Sequence, residues 1–226
     1  MALGMQPITP ADRRRRNRDK MTAAILEVSR QVMRQDGVAA LNLQEVARRL
    51  GIRAPSLYEY FDGKMALYDA LFALGVRTWS GYLDRVLRRS HESPWRLLEA
   101  IFEAYIDFGD EYPELYKLIH ERHVPGFEPS SESLSESVRL TQRGVEALQA
   151  WVDAGQLTPG LATEKAFDLA IVVMHGLTGA HVADRPGERD PGSRFRSLVP
   201  PAVALFQAAW SPTTTKAPPQ RRRRKP

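Results

Sequence analysis

The sequence predicts an all-α protein, with a small N-terminal three-helix bundle containing a helix-turn-helix and a larger helical body behind it. Three observations carry this reading. Apolar residues recur at intervals of three and four, and the period-two alternation of β-branched residues that marks a half-buried strand is absent. Glycine and proline punctuate the periodic stretches at Gly37, Gly51, Gly63, Pro94, Pro113 and Gly155. Charge is divided unevenly. Residues 1–64 carry 12 basic and 7 acidic side chains, residues 65–210 carry 14 and 20, and residues 211–226 carry 6 basic and no acidic ones. The basic character therefore sits at the two ends of an acidic body, which points to a polyanionic partner for the first third of the chain.

Composition limits the alternatives. With 226 residues, 43% of them hydrophobic and 26% charged, the chain matches folded globular proteins. The absence of cysteine excludes disulfides, thiolate metal sites and cysteine nucleophiles, and it fits a reducing, cytoplasmic setting. No purely apolar run reaches the roughly 18 residues of a membrane span. The nearest, Leu169 to Ala183, is interrupted by His175, Gly176, Thr178, Gly179 and His181, and reads as a buried helix. The arginines at 13–16 are followed by an amphipathic stretch with Glu27 and Arg30, which is not a signal peptide.

Each helix has its own signals. Met21, Ile25, Val28 and Val32 form the stripe of the first, which Gly37 closes, and Thr9, Pro10 and Asp12 are placed to cap an upstream extension. Asn42 followed by Glu45 has capping-box spacing and starts a short second helix that stops near Gly51. A third short helix has Pro55 in its first turn, and Asp62-Gly63 breaks the chain before a long helix from about Lys64. Ser93-Pro94 opens a helix striped by Trp95, Leu98, Phe102 and Tyr105, and Pro113 restarts the chain toward His123. Residues 124–131 form a loop. Leu134, Val138, Thr141, Val145, Leu148 and Val152 then mark a helix ending at Gly155. The helix from about Glu164 to Ala183 is apolar nearly all round, which implies burial on its own core and against a partner subunit. A polar loop from Asp184 to Ser193 precedes a last helical region, Phe195 to Trp210, disturbed by Pro200 and Pro201; the tail has no core-forming residues.

The segment Leu41 to Phe61 concentrates the chemistry. Val46, Ala47 and Leu50 can pack inward, Gly51 permits a sharp turn, and Ile52, Leu57 and Phe61 close a small core. The second of its helices then presents Arg53, Ala54, Pro55, Ser56, Tyr58, Glu59 and Tyr60 at its surface or edges. Small residues at its start allow entry into a major groove, and hydroxyls and a guanidinium can reach bases or phosphates.

In these residues the chain resembles the TetR family of transcription regulators, over about Lys20 to Leu71. Gly37, the Leu41-Asn42 pair, Val46-Ala47, Leu50-Gly51-Ile52, Leu57-Tyr58, Phe61 and Lys64 carry the match. The resemblance implies a recognition helix at Ser56 to Tyr60, phosphate contacts from Tyr58, Tyr60 and Lys64, and Arg53 and Ala54 nearest the bases. Gln44 joins this set. Arg53 replaces the family's usual capping serine, and Glu59 is acidic on the DNA side. The implied partners are double-stranded operator DNA, a second copy of the chain as a homodimer, and a small-molecule effector, with no membrane and no cofactor. The domains expected are a basic arm (1–18), a DNA-binding domain (19–66), a ligand-binding and dimerisation domain (67–210) and a disordered basic tail (211–226).

Within the larger domain Phe102, Tyr105, Phe108, Tyr112, Leu118, His120, Met174, His175 and Thr178 mix large apolar side chains with a few polar ones, the usual lining of a pocket. An apolar effector that releases a palindromic operator, and hence repression, is the reading; a nonspecific architectural DNA binder is the alternative. An enzyme is not expected. None of the five histidines follows an acidic residue by three, as a di-iron bundle requires, there is no phosphate-binding loop or nucleophile elbow, and His120 and His123 alone do not make a metal site.

Overall fold

The structure, a computed structural model, describes residues 9–121, 124–184 and 193–212. Eight α-helices lie within them: α1 (Pro10–Asp36), α2 (Leu43–Leu50), α3 (Lys64–Leu87), α4 (Pro94–Glu111), α5 (Pro113–His120), α6 (Ser131–Asp153), α7 (Thr163–Asp184) and α8 (Val199–Trp210). No strand occurs among the described residues. His123, most of the Asp184–Ser193 loop and the Arg221–Lys225 cluster lie outside them.

Helix α1 begins earlier than an arm ending at residue 18 implies. Thr9 Oγ1 accepts from the Asp12 amide at 3.2 Å, Asp12 Oδ2 accepts from the Thr9 amide at 3.1 Å, and Pro10 occupies the first position, where no amide hydrogen is needed. The segment 10–18 is thus helical, and Arg13 to Arg16 project from exposed first turns. Ile25 and Val32 of the expected stripe are buried, with Met21 and Val28 half-buried beside them. Gly37, at φ 94°, ends the helix.

The body is built around α3 and α4. Helix α3 packs on α4, α5 and α6; α7 packs on α4 and α6; α8 packs on α4. Two crossings depend on a missing side chain: a Cβ at Gly109 would lie 2.9 Å from both Thr178 and Val182, and one at Gly144 would lie 2.1 Å from Phe167. Helix α6 follows its apolar stripe only in its C-terminal half: Leu148 is buried and Val152 packs on the core beside Trp151, whereas Leu134, Val138 and Thr141 are exposed and Ser133 and Leu140 turn inward instead. The cause lies at its N-terminus, where Asp69 of α3 accepts from the Ser130 amide at 2.7 Å and from the Ser130 and Ser133 hydroxyls at 2.8 Å each, setting the rotation of the helix. Pro200 and Pro201 do not disturb α8. They occupy its first turn, where the amide they lack has no intrahelical acceptor.

By length and apolar composition α7 alone among the described helices is long enough to cross a membrane. Here it is a packed helix, and its His181 is tied to α4: Asp110 lies 2.8 Å from His181 Nε2, and Ser193 lies 2.9 Å from His181 Nδ1. Arg196 donates to Asp107 at 2.7 Å and to Asp110 at 3.1 Å. The Ser193, His181 and Asp110 side chains are all buried, so this serine–histidine–aspartate chain joins α4, α7 and the lead into α8.

The small N-terminal unit and the body meet at Glu114 on α5. Its carboxylate, 1% exposed, accepts from Arg30 Nε at 2.8 Å and Arg34 Nε at 2.9 Å, both on α1. Arg30 also lies over the Tyr112 ring, 4.6 Å from its centroid. Removing the Glu114 charge deprives Arg30, 16% exposed and otherwise paired, among the described residues, only with Glu27, and Arg34 of their shared buried acceptor. Glu114→Gln is therefore expected to lower unfolding stability by about 3 kcal/mol, and Arg34→Ala by less, because its side chain is half exposed. Thermal unfolding of both variants measures this; an unchanged midpoint for Glu114→Gln contradicts it.

Candidate nucleic-acid interface and internal cavity

Helix α2 starts at Asn42, whose side chain accepts from the Gln44 amide at 2.9 Å. The reciprocal half of the expected capping box is missing. Glu45 turns away to Arg48 and Arg49, each at 2.7 Å, and these hydrogen bonds hold its carboxyl down at about 2. Gly51 closes α2 in the left-handed region at φ 67°, and the Ile52 amide returns to the Ala47 carbonyl at 3.1 Å. The chain reverses there into a 3₁₀ segment, Ala54–Glu59, rather than an α-helix. Pro55 removes a donor from its first turn, and so short a segment has few bonds to gain from the wider α geometry. Val46, Ala47 and Leu57 are buried, with Leu50, Ile52 and Phe61 packed against them.

That core orients the outer face. Gln44, Arg53, Pro55, Tyr58 and Glu59 are exposed, Tyr58 by 59%, while Ala54 and Ser56 are half-buried between them. Arg53 supplies no side-chain cap, and it forms no ion pair with Glu59. Two residues expected in the same group sit differently. Tyr60 is half-buried with the Arg18 guanidinium 5.5 Å from its ring centroid, so α1 holds it. Lys64 donates to the Ala39 carbonyl at 3.3 Å and lies over the Tyr68 ring, which anchors the start of α3 to the turn after α1. The nearby carbonyl and ring are a local attraction that sequence spacing does not reveal.

In the body, α3, α4, α5, α6 and α7 surround a cavity of about 650 Å³. Of the residues expected to line it, Phe102, Tyr105, His120, Met174 and His175 do, and Phe108, Tyr112, Leu118 and Thr178 do not. Phe108 is buried among the Trp79, Tyr82, Tyr105 and Tyr112 rings. Tyr112 ends α4 beneath Arg30. Leu118 lies two residues from His120 on α5, hence on another face. Thr178 packs its methyl onto Gly109 at the α4–α7 crossing, and its buried hydroxyl has no partner. The lining also takes in Trp79 from α3, Trp151 from α6, Phe167 from α7 and Trp210 from α8, which were not anticipated. Burial against more than one helix is their common signal, and only the packing displays it.

The polar lining gathers on one side. The Tyr105 hydroxyl is hydrogen-bonded to His120 Nε2, the His120 and His175 rings lie 4.1 Å apart, and Tyr105 stacks on His175 at 5.3 Å. The Tyr116 hydroxyl donates to the His175 carbonyl at 3.2 Å. His120 is exposed at the end of α5 and also lines the cavity. Burial lowers His175 to about 4, and burial together with the neighbouring His175 lowers His120 to about 3. Both imidazoles are consequently neutral at pH 7. In the unfolded chain the same groups take up protons near 6.5, so stability is fully present above that pH and is lost as pH falls toward 4. His175→Phe is expected to flatten this loss in urea titrations between pH 7 and 4.5, and an unaltered slope tells against the assignment.

The family profile described as bacterial regulatory proteins of the tetR family matches residues 25–71, the segment from mid-α1 into α3. The HTH-type transcriptional activator FasR of Mycolicibacterium smegmatis is 31% identical over 104 residues, 46% of this chain and 47% of that protein, so the alignment spans about half of the relative's length. A Rhodococcus protein of unknown function superposes with a TM-score of 0.70 at 22% identity, covering 84% of this chain and 95% of the other. AibR, solved with isovaleryl coenzyme A and operator DNA, superposes with a TM-score of 0.62 at 16% identity, covering 81% and 96%. At such identities the superpositions speak for the fold, and the local match at the helix-turn-helix agrees with it. Residues 25–71, the helix-turn-helix segment, thus match the bacterial regulatory proteins of the tetR family.

Proposed function

We propose that this protein is a transcription regulator that binds a palindromic operator as a two-fold homodimer and represses until a small, largely apolar molecule enters the cavity. One observation carries the reading. Helix α5 has eight residues, His120 at its end lines the cavity, and Glu114 near its start holds Arg30 and Arg34 of α1, which packs on α2 of the helix-turn-helix. A ligand that displaces α5 therefore has a direct mechanical route to the DNA-binding unit. AibR is a neighbour in fold for which effector and operator DNA have both been captured, which supports the same pairing of roles here.

Recognition is assigned to the face containing Gln44, Arg53, Ala54, Pro55, Ser56, Tyr58 and Glu59, with Tyr60 and Lys64 holding that face on α1 and α3 as well as standing near the DNA backbone. The exposed arginines at the start of α1 add attraction without sequence preference. Dimerisation is assigned to α7 and α8. Both pack on α4, yet Val172 is 66% and Leu205 is 73% exposed, Leu169 is also exposed, and the space beside Gly176 is open. Gly179, by contrast, faces the Tyr116 hydroxyl within the subunit and is not free for a partner.

Selection of bound fragments from random DNA should return a palindrome whose half-sites match recognition elements about 34–36 Å apart or one further turn. Recovery of fragments with no common sequence would instead indicate a nonspecific binder. With the selected site, Tyr58→Ala should weaken all sequences alike, whereas Arg53→Ala should also relax one base pair, by about 1–3 kcal/mol. Leu205→Asp should give a monomer by sedimentation and, with it, loss of tight operator binding; a dimer of that variant sinks the interface assignment.

A further inference from the structure

We propose that the cavity selects ligands with an uncharged, oxygen-bearing head, a hydroxyl or carbonyl seated against Tyr105, His120 and His175, and rejects carboxylates of the same hydrocarbon skeleton. The proposal rests on the reading of the cavity as an effector site and adds its chemical class.

The charges around the space support it first. Among the described lining residues there is one cation, Arg143, against two anions, Glu146 and Asp168. Arg143 is half exposed and lies 3.9 Å from Asp84, a third carboxylate. An anionic head would thus meet two lining carboxylates and a single cation that is half exposed and already near Asp84, and seated among the apolar walls it would pay a desolvation cost that a neutral oxygen avoids. Several of the walls are large hydrophobic side chains, Trp79, Phe102, Trp151 and Phe167 among them, which match a hydrocarbon body.

The polar cluster then specifies the head. The His175 ring makes aromatic contacts to Tyr105 and His120 but no hydrogen bond, and His120 uses only Nε2. Each imidazole therefore has a ring nitrogen left to offer. In the neutral form a ring nitrogen donates or accepts according to tautomer, so the pair can serve an alcohol or a ketone equally. Protonation would put a cation 4.1 Å from a second imidazole in apolar surroundings, and burial holds both groups neutral well below pH 7. The groups that face this pair are Tyr105 from α4 and Tyr116 from its own helix α5, neither charged at pH 7, because burial pushes both phenols above their ordinary value.

The test uses two matched pairs at pH 7.5, 1-decanol with decanoate and 4-phenylphenol with biphenyl-4-carboxylate, followed by quenching of tryptophan emission, since Trp79, Trp151 and Trp210 line the space. The neutral member of each pair should bind at least tenfold more tightly. His175→Phe keeps an aromatic ring in place and should retain the melting temperature while reducing that preference severalfold, the size of one hydrogen bond; Tyr105→Phe provides a second variant that removes a single hydroxyl. Equal or tighter binding of the carboxylates, binding of neither member, or an unchanged preference in a folded His175→Phe overturns the proposal. Operator affinity measured with the same compounds separates the two ideas. Neutral preference without any effect on DNA keeps the ligand class and discards the effector role, whereas carboxylates that release DNA do the reverse.

Discussion

The arrangement of this chain turns on one buried carboxylate. Glu114 has two guanidinium groups and no comparable solvent, so its position on α5 and the positions of Arg30 and Arg34 on α1 determine one another. Such a group contributes little net stability compared with a well-packed apolar side chain, because withdrawing Glu114 and Arg30 from water costs nearly as much as their attraction returns. Its larger effect is on specificity of arrangement. Apolar contacts between α1 and α5 tolerate sliding by a fraction of an ångström; a carboxylate shared by two nitrogens does not. The orientation of the helix-turn-helix on the body is thereby referred to α5.

That dependence makes the cavity more than a packing defect. Six residues separate Glu114 from His120, about 9 Å along the helix axis at 1.5 Å per residue. Gly75 of α3 lies close under the same helix, where a Cβ would fall 2.7 Å from Ile119. Helix α5 is thus clamped at one end by charge, packed against Gly75 of α3, and turned to the cavity at its other end through Ile119 and His120. On the proposed reading, a ligand in the cavity would meet α5 at that end.

How far this was legible in the sequence depends on the range of the interaction involved. The helix-turn-helix is local: Asn42 capping α2, Gly51 reversing the chain, and Val46, Ala47 and Leu57 forming the core are all within a span of 16 residues, and each has a distinctive residue type at its position. Glu45 shows the limit of such reasoning, since capping spacing was present and nearer arginines took the carboxylate. The cavity is nonlocal. Along α4 the aromatics at 102, 105 and 108 share a face by spacing alone, yet Phe102 and Tyr105 reach the open space while Phe108 meets four other rings. What separates them is the axial position at which α7 crosses, set by Gly109 against Thr178 and Val182, and neither helix records the other's register. The rotation of α6 has the same character, because Asp69 of a distant helix decides which residues of its N-terminal half face inward.

On the proposed reading, these nonlocal constraints would let a modest ligand suffice. A tenfold change in operator affinity corresponds to only about 1.4 kcal/mol of difference in ligand binding between two arrangements of the body. A single hydrogen bond to His175 or His120, made in one position of α5 and lost in another, is of that order. The Glu114 pairs need not break during such a shift. Both arginines reach the junction of α4 and α5 as well as Glu114: Arg34 donates to the Glu111 carbonyl at the end of α4, and Arg30 lies over Tyr112, the residue between the two helices. Two arginines one helical turn apart on α1 therefore couple that helix to the junction of α4 and α5. On the proposed reading, a shift of α1 would carry α2 and the 3₁₀ segment with it, since α1 packs on α2 and α2 on that segment, and in a two-fold dimer it would change the separation of the two recognition elements.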